Sequence, residues 1–220
     1  GKYISIINSD DVYHSDRLKI LLENIESEES EFIFTNIDFI DQNSCQLYDP
    51  MDLNISWINR LNSLYSNTKS LKQTLLFGNL AATSSNFFFK AEIIDRIGNF
   101  CDNRYTHDYE FLLRSILKLK KNVKYLDDRK LLFYRLHKYN TIREKSKIPR
   151  IEIYKLLTSI GPEFLEESED AEKTKIAFNY LKKFNDATTN DVTKLESSFF
   201  WKVTEVIRII GRSIIDKEHK

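Results

Sequence analysis

The chain has 220 residues, 41% of them hydrophobic and 30% charged, with only five Gly and three Pro. This excludes a disordered, collagen-like or linker-rich protein and allows one sizeable core. Lys plus Arg equals Asp plus Glu at 33 each, so net charge offers no argument for nucleic-acid binding and no nucleic-acid partner is expected.

Tyr3-Ile4-Ser5-Ile6-Ile7 is an apolar run that reads as a buried strand. It opens almost at the first residue, so a preceding segment is expected. Residues 1–60 are acidic, with 4 basic and 12 acidic side chains, while residues 61–220 carry 29 and 21. A helix is predicted over 15–26, with Leu18, Leu21, Leu22 and Ile25 on one face and Ser15 or Asp16 as its cap. A second strand is expected over 31–40, then a loop over 41–53 and two short helices near 54–66 and 69–77. Residues 85–90 read as a strand and 91–97 as a short helix ended by Gly98. A loop over 99–107 precedes a helix over 108–120. Two short strands, 123–126 and 131–136, follow. The stretch 114–150 holds 13 basic and 3 acidic side chains. It reads as a solvated lysine-rich face or as a surface facing phosphate.

Beyond a boundary near 143 the pattern is helical only, over 144–160, 171–184 and 191–216. Alternating strands and helices before it predict an α/β layer structure for residues 1–142, with an all-helical C-terminal extension over 143–220. Cys45 and Cys101 lie far apart with no metal-ligand spacing, so free thiols are expected rather than a zinc site. No run has the length of a membrane span, and the N-terminus lacks the pattern of a secretory signal, so a cytoplasmic location is expected.

Three short segments carry candidate chemistry. Asp10 and Asp11 follow the first strand, where adjacent carboxylates repel and favour a divalent cation; a plain strand-end turn is the other reading. Asp108 stands at a helix start, where a carboxylate can accept a proton or simply cap the helix. His137 follows the last strand, with Arg135 two residues before it.

The string Lys2 to Leu18, KYISIINSDDVYHSDRL, resembles the family 2 glycosyltransferases of the GT-A fold, in which such a segment carries an Asp-x-Asp-type metal motif. Residues 78–109, including Thr83-Ser84-Ser85-Asn86 and His107-Asp108, and the segment Tyr134-Arg135-Leu136-His137-Lys138-Tyr139-Asn140-Thr141 resemble two further anchors of that family, in the same order. Asn8 departs from the family's frequent Asp, and Ser15 from its common Pro.

The resemblance implies a partial GT-A-like domain over 1–142 without the family's nucleotide-binding first half. It implies inverting transfer of a sugar from a nucleotide-diphosphate donor to a hydroxyl of a glycan or lipid-linked acceptor. Mn²⁺ or Mg²⁺ would be held by Asp10, Asp11 and His137, with Asp108 as the base. Asn8, Thr83, Ser84, Ser85, His107 and Arg135 would contact substrate. The isolated chain is then expected to bind donor weakly. The apolar stripe over 196–216 reads as a helix that packs on a partner, self-associates or lies on the inner face of a membrane. The rival reading of the whole chain is a non-enzymatic α/β module that binds a partner through this tail.

Overall fold

The structure is a computed structural model and describes residues 1–27, 29–137, 140 and 148–166. The helices predicted over 171–184 and 191–216 and the stripe over 196–216 lie outside the described residues. The chain divides into two units, Gly1–Ile160 and Gly161–Lys220, and every described strand belongs to the first.

The strands are β1 (Tyr3–Ser5), β2 (Val12–Tyr13), β3 (Phe32–Ile40), β4 (Gln46–Leu47), β5 (Phe88–Lys90) and β6 (Val123–Arg135). They form one mixed sheet in the order β1-β5-β3-β6-β2, with β4 paired to β3. Only β3 and β6 run parallel; the other pairs are antiparallel. The sheet curls, so that its two edges meet: the Tyr13 hydroxyl of β2 donates to the carbonyl of Ile6, just past β1, and lies 3.0 Å from Oγ of Ser5, the last residue of β1.

Six α-helices are described: α1 (Arg17–Ser27), α2 (Leu53–Thr68), α3 (Leu71–Leu75), α4 (Ile93–Ile97), α5 (His107–Leu119) and α6 (Ile148–Glu166). Strand alternation assigns them to two faces. Phe88 and Ile33 join Leu21 and Ile25 of α1 in one buried cluster. Phe32, Phe87 and Phe89 point the other way and meet Phe111 of α5, with ring centroids 5.6–6.2 Å from it. Phe100 stacks on Phe111 at 4.0 Å. These aromatic contacts make α5, and with it the helix start at His107-Asp108, a rigid part of the core.

Three differences from the sequence pattern matter. Residues 123–126 and 131–136 are not separate strands. They are one strand, β6, in which Leu126 pairs with Thr35 and Lys130 with Asn36, so residues 127–129 are extruded as an irregularity. The polar Asp127-Asp128-Arg129 run between the two expected strands is this extrusion. Residues 12–13 and 46–47 pair as short strands, each too brief to carry an alternation signal. On α1, Leu21 and Ile25 are buried but Leu18 and Leu22 are 51% and 38% exposed; Arg17 completes the inward stripe. Its spacing of four from Leu21 and eight from Ile25 puts it on that face despite its charge.

Gly98 ends α4 with φ +82°, its N–H donating to the Ile94 carbonyl, as the sequence pattern predicts. The first unit runs past the composition change near 143 to Ile160. α6 docks through buried Leu156 and, one turn earlier, through Glu152.

Candidate functional site

The candidate residues lie on four chain segments: the turn after β1, the 79–86 segment before β5 and the C-terminal end of β6 meet directly, and the start of α5 joins them through Asn79.

Asp10 and Asp11 have opposite surroundings. The Asp11 side chain is buried. Its Oδ2 accepts from Ser85 Oγ at 2.6 Å and its Oδ1 from the Arg135 N–H at 3.1 Å. Burial, helped by the Asp10 charge, pushes its carboxyl above the usual carboxylate range, while Ser85 and Arg135 oppose the shift. Asp11 thus ties the end of β6 to the 83–86 turn. Asp10 faces outward with 39% of its side chain exposed, and its Oδ2 lies 3.1 Å from His137 Nε2.

The surrounding bonds aim this pair. Arg135 Nε donates to the Asp10 carbonyl at 2.7 Å, and its other nitrogens donate to the Asp41 carbonyl and to Ser44 Oγ. The guanidinium therefore braces Asp10 against the β3–β4 turn. Asn140 accepts from the His137 N–H and donates to the Arg135 carbonyl at 2.9 Å. This holds the backbone on both sides of Leu136.

Asn8 donates through its backbone N–H to Ser85 Oγ and through its side chain to Thr83 Oγ1, both at 2.9 Å. Thr83, Ser85 and Asn8 thus form the wall behind Asp11. The Ser84 hydroxyl makes no hydrogen bond with the described residues.

Asp108 is half-buried in the first turn of α5. Its Oδ1 accepts the Tyr109 N–H at 2.7 Å. Burial pushes its carboxyl up to about 6, against the opposing effects of His107, the Tyr109 and Asp108 N–H groups and the Asn79 side chain. Asn79 opens the segment that ends on Ser85. Asn79 and Thr83 are four residues apart, so their Cα atoms are at most about 14 Å apart. Two turn bonds, from Ala82 N–H to Asn79 and from Thr83 N–H to Ala81, shorten that span. Asp108 is therefore linked to the Asp11 cluster through one short segment, not by direct contact.

That segment is strained. Ala82 has φ +65° at the centre of the tight turn closed by Thr83 N–H on the Ala81 carbonyl, a conformation costly for an L-residue. Ala82→Gly should raise stability by about 1 kcal/mol, as measured by urea denaturation, because Gly adopts this region freely. A loss of similar size would show that the Ala82 methyl packs usefully and that the turn is not the strained element.

Sequence reasoning missed two residues of the site. Asn140 is a helper whose role appears only once the chain turns after Leu136. Arg17 lies beneath the 83–86 turn, donating to Thr35 Oγ1 at 3.2 Å and to the Asn86 carbonyl at 2.9 Å. Its spacing from Leu21 and Ile25 was the available signal.

Among the described residues, no group of three or more His, Cys, Asp or Glu side chains is arranged to hold an ion. Asp10 and His137 nevertheless suit a divalent cation in one respect. Ligands at 2.0–2.1 Å on neighbouring octahedral positions lie about 3 Å apart, which is the spacing of this O···N pair. Asp11 is engaged elsewhere. Cys45 and Cys101 are free, and no described helix is long and apolar enough to cross a membrane. No family model matches the sequence, and no curated protein matches it.

Proposed function

We propose that this chain bears the catalytic face of a GT-A-like, family 2-type glycosyltransferase, moving a sugar from a nucleotide-diphosphate donor to an acceptor hydroxyl with inversion. The observation that carries the reading is the braced, outward-facing Asp10–His137 pair beside a buried tether at Asp11. A merely structural turn has no need for the first once the second is in place.

In this reading Asp10 and His137 would hold Mn²⁺ or Mg²⁺. The ion, when bound, supplies positive charge against the diphosphate leaving group. Asp11, Arg135 and Asn140 keep the two ligands aimed. Asp108 accepts the proton of the acceptor hydroxyl as its oxygen attacks the anomeric carbon and the bond to the diphosphate breaks. A base that titrates near 6 is ionised at neutral pH and more basic than an ordinary aspartate, which suits it to that step.

The metal part is testable without a donor. Mn²⁺ titration followed by electron paramagnetic resonance should show one saturable site. Asp10→Asn and His137→Ala should each weaken it about 10- to 100-fold while the fold persists, since both side chains are partly exposed. A search for Mn²⁺-dependent release of nucleotide diphosphate from a panel of nucleotide sugars then tests the transfer. Saturable binding untouched by either substitution would place the ion elsewhere and remove this reading's support.

A further inference from the structure

We propose that Glu152 of α6 is a positioning residue for Asp108, clamping the segment that leads into α5 and so fixing where the Asp108 carboxyl sits. The proposal rests on the reading of Asp108 as the base.

The clamp is made by one carboxylate and three consecutive residues. Glu152 Oε1 accepts from the Arg104 N–H at 3.2 Å, and Oε2 accepts from the Tyr105 N–H at 2.9 Å and from Thr106 Oγ1 at 3.2 Å. Thr106 is the residue before α5 and is 1% exposed; its carbonyl accepts the Glu110 N–H at 2.8 Å, but its side chain makes no capping bond to the helix. The N–H groups at a helix start need an acceptor and carry positive potential. Here a carboxylate from a helix more than 40 residues later in the chain supplies an anion at the segment entering α5. Asn103 Nδ2 adds a bond to Thr106 Oγ1 at 3.0 Å. His107 and Asp108 follow directly, so the path of residues 104–106 decides where they emerge.

The chemistry of the clamp is specific to a carboxylate. Two oxygens with several lone pairs receive three donors. A glutamine has one acceptor oxygen, and its NH₂ would face a donor. Loosening the segment admits water around Asp108, and hydration favours its ionised form. The other charged groups on this part of α5 are His107, which already favours the ionised form, and Glu110, which is paired with Arg114 at 2.7 Å.

The test is a carbon-13 NMR titration of the Asp108 carboxyl in the full chain, with amide hydrogen exchange recorded on the same samples. In Glu152→Gln the Asp108 midpoint should fall by about one pH unit, and the Arg104 and Tyr105 amides should exchange at least about tenfold faster. Glu152→Asp keeps both oxygens on a shorter arm and should fall between wild type and Gln. It also decides the matter if the Gln variant does not fold. An unchanged or raised midpoint in a folded variant overturns the proposal, whatever the amides do, because it makes Glu152 a structural tie only. The titration needs no donor, ion or turnover. A shifted midpoint in a chain without transfer activity would uphold the clamp and sink the transferase reading.

Discussion

If the proposed transferase reading holds, Asp108→Asn should lose transfer by about 10²- to 10⁴-fold, measured as nucleotide-diphosphate release, and on either reading the protein should become more stable at neutral pH. The two effects have one cause. Burial raises the Asp108 carboxyl to about 6, so the native state resists its ionisation. A folded-state value above the usual 3.8 contributes stability that is fully present below about pH 4 and is lost as pH rises through about 6. At pH 7.5 the ionised group therefore opposes folding, by at most about 3 kcal/mol, and by about 1 kcal/mol once its partial exposure is counted. Asparagine removes that opposition, keeps the size and still accepts the Tyr109 N–H, but it cannot take a proton.

Urea denaturation at pH 7.5 and pH 4.5 should show the variant ahead of wild type at the higher pH and level or behind at the lower. On the transferase reading, transfer should rise with pH along a limb centred near 6. A variant that keeps near-wild-type turnover would return Asp108 to the role of a helix-start acid, and a variant less stable than wild type at pH 7.5 would contradict the burial argument. Greater stability with lost activity is the pattern expected where a site holds a group against its preferred charge state.

Arg17→Ala should destabilise the fold by about 3–5 kcal/mol, the largest single-residue effect expected in this chain. The guanidinium is completely buried and has no carboxylate partner among the described residues. It donates to Thr35 Oγ1 and to both oxygens of Asn86, and it lies over the Tyr13 ring at 4.7 Å. Its Nε has no partner among the described residues. Burial lowers its pKa to about 10, which leaves it charged at neutral pH.

The Asn86 amide it touches does the work of a missing strand residue. Asn86 Oδ1 accepts the Thr35 N–H at 3.1 Å, and Nδ2 donates to the Thr35 carbonyl at 2.7 Å, beside the irregularity in the β3–β6 pairing. Alanine would open a cavity and remove the donor from the Asn86 carbonyl. The loss would reach Ser85, the next residue, and through it Asp11. Arg17→Met fills the space without burying a charge and should lose less. Arg17→Lys cannot reach Thr35 and Asn86 together and should recover only part. Equilibrium urea unfolding measures all three. A loss below about 1 kcal/mol in Arg17→Ala would mean that Asn86 and Thr35 hold the sheet without the guanidinium.

The mixed α/β layering was legible because it rests on local periodicity. The 31–40 strand, the helices over 15–26, 54–66 and 108–120 and the stop at Gly98 all appear within a residue or two of their expected places. Phe32, Phe87, Phe89 and Phe111 are buried in the core. Less was legible where a signal depends on a distant partner. Two-residue strands have no alternation to read. The extrusion at 127–129 splits the apolar pattern in two, and only pairing with β3 shows one continuous strand. Arg17 looks like a surface residue until Thr35 and Asn86 arrive to accept its donors.

For the site, the sequence by itself determined which side chains are available: a double Asp after a strand, a Thr-Ser-Ser-Asn turn, an Asp at a helix start and a His after the last strand. It could not divide the labour between Asp10 and Asp11, because adjacent residues in a turn point in different directions only when tertiary contacts turn them. Ser85, 74 residues away, and the Arg135 N–H, 124 residues away, draw Asp11 inward, and His137 meets Asp10 at the surface. Composition marked a change near 143, but helicity there reflects local propensity, whereas membership of the first unit depends on Leu156 and Glu152 finding partners on it. Local propensity and spacing are written into a short stretch of chain. The direction in which a buried polar group faces is decided by donors and acceptors that only the folded chain brings within about 3 Å.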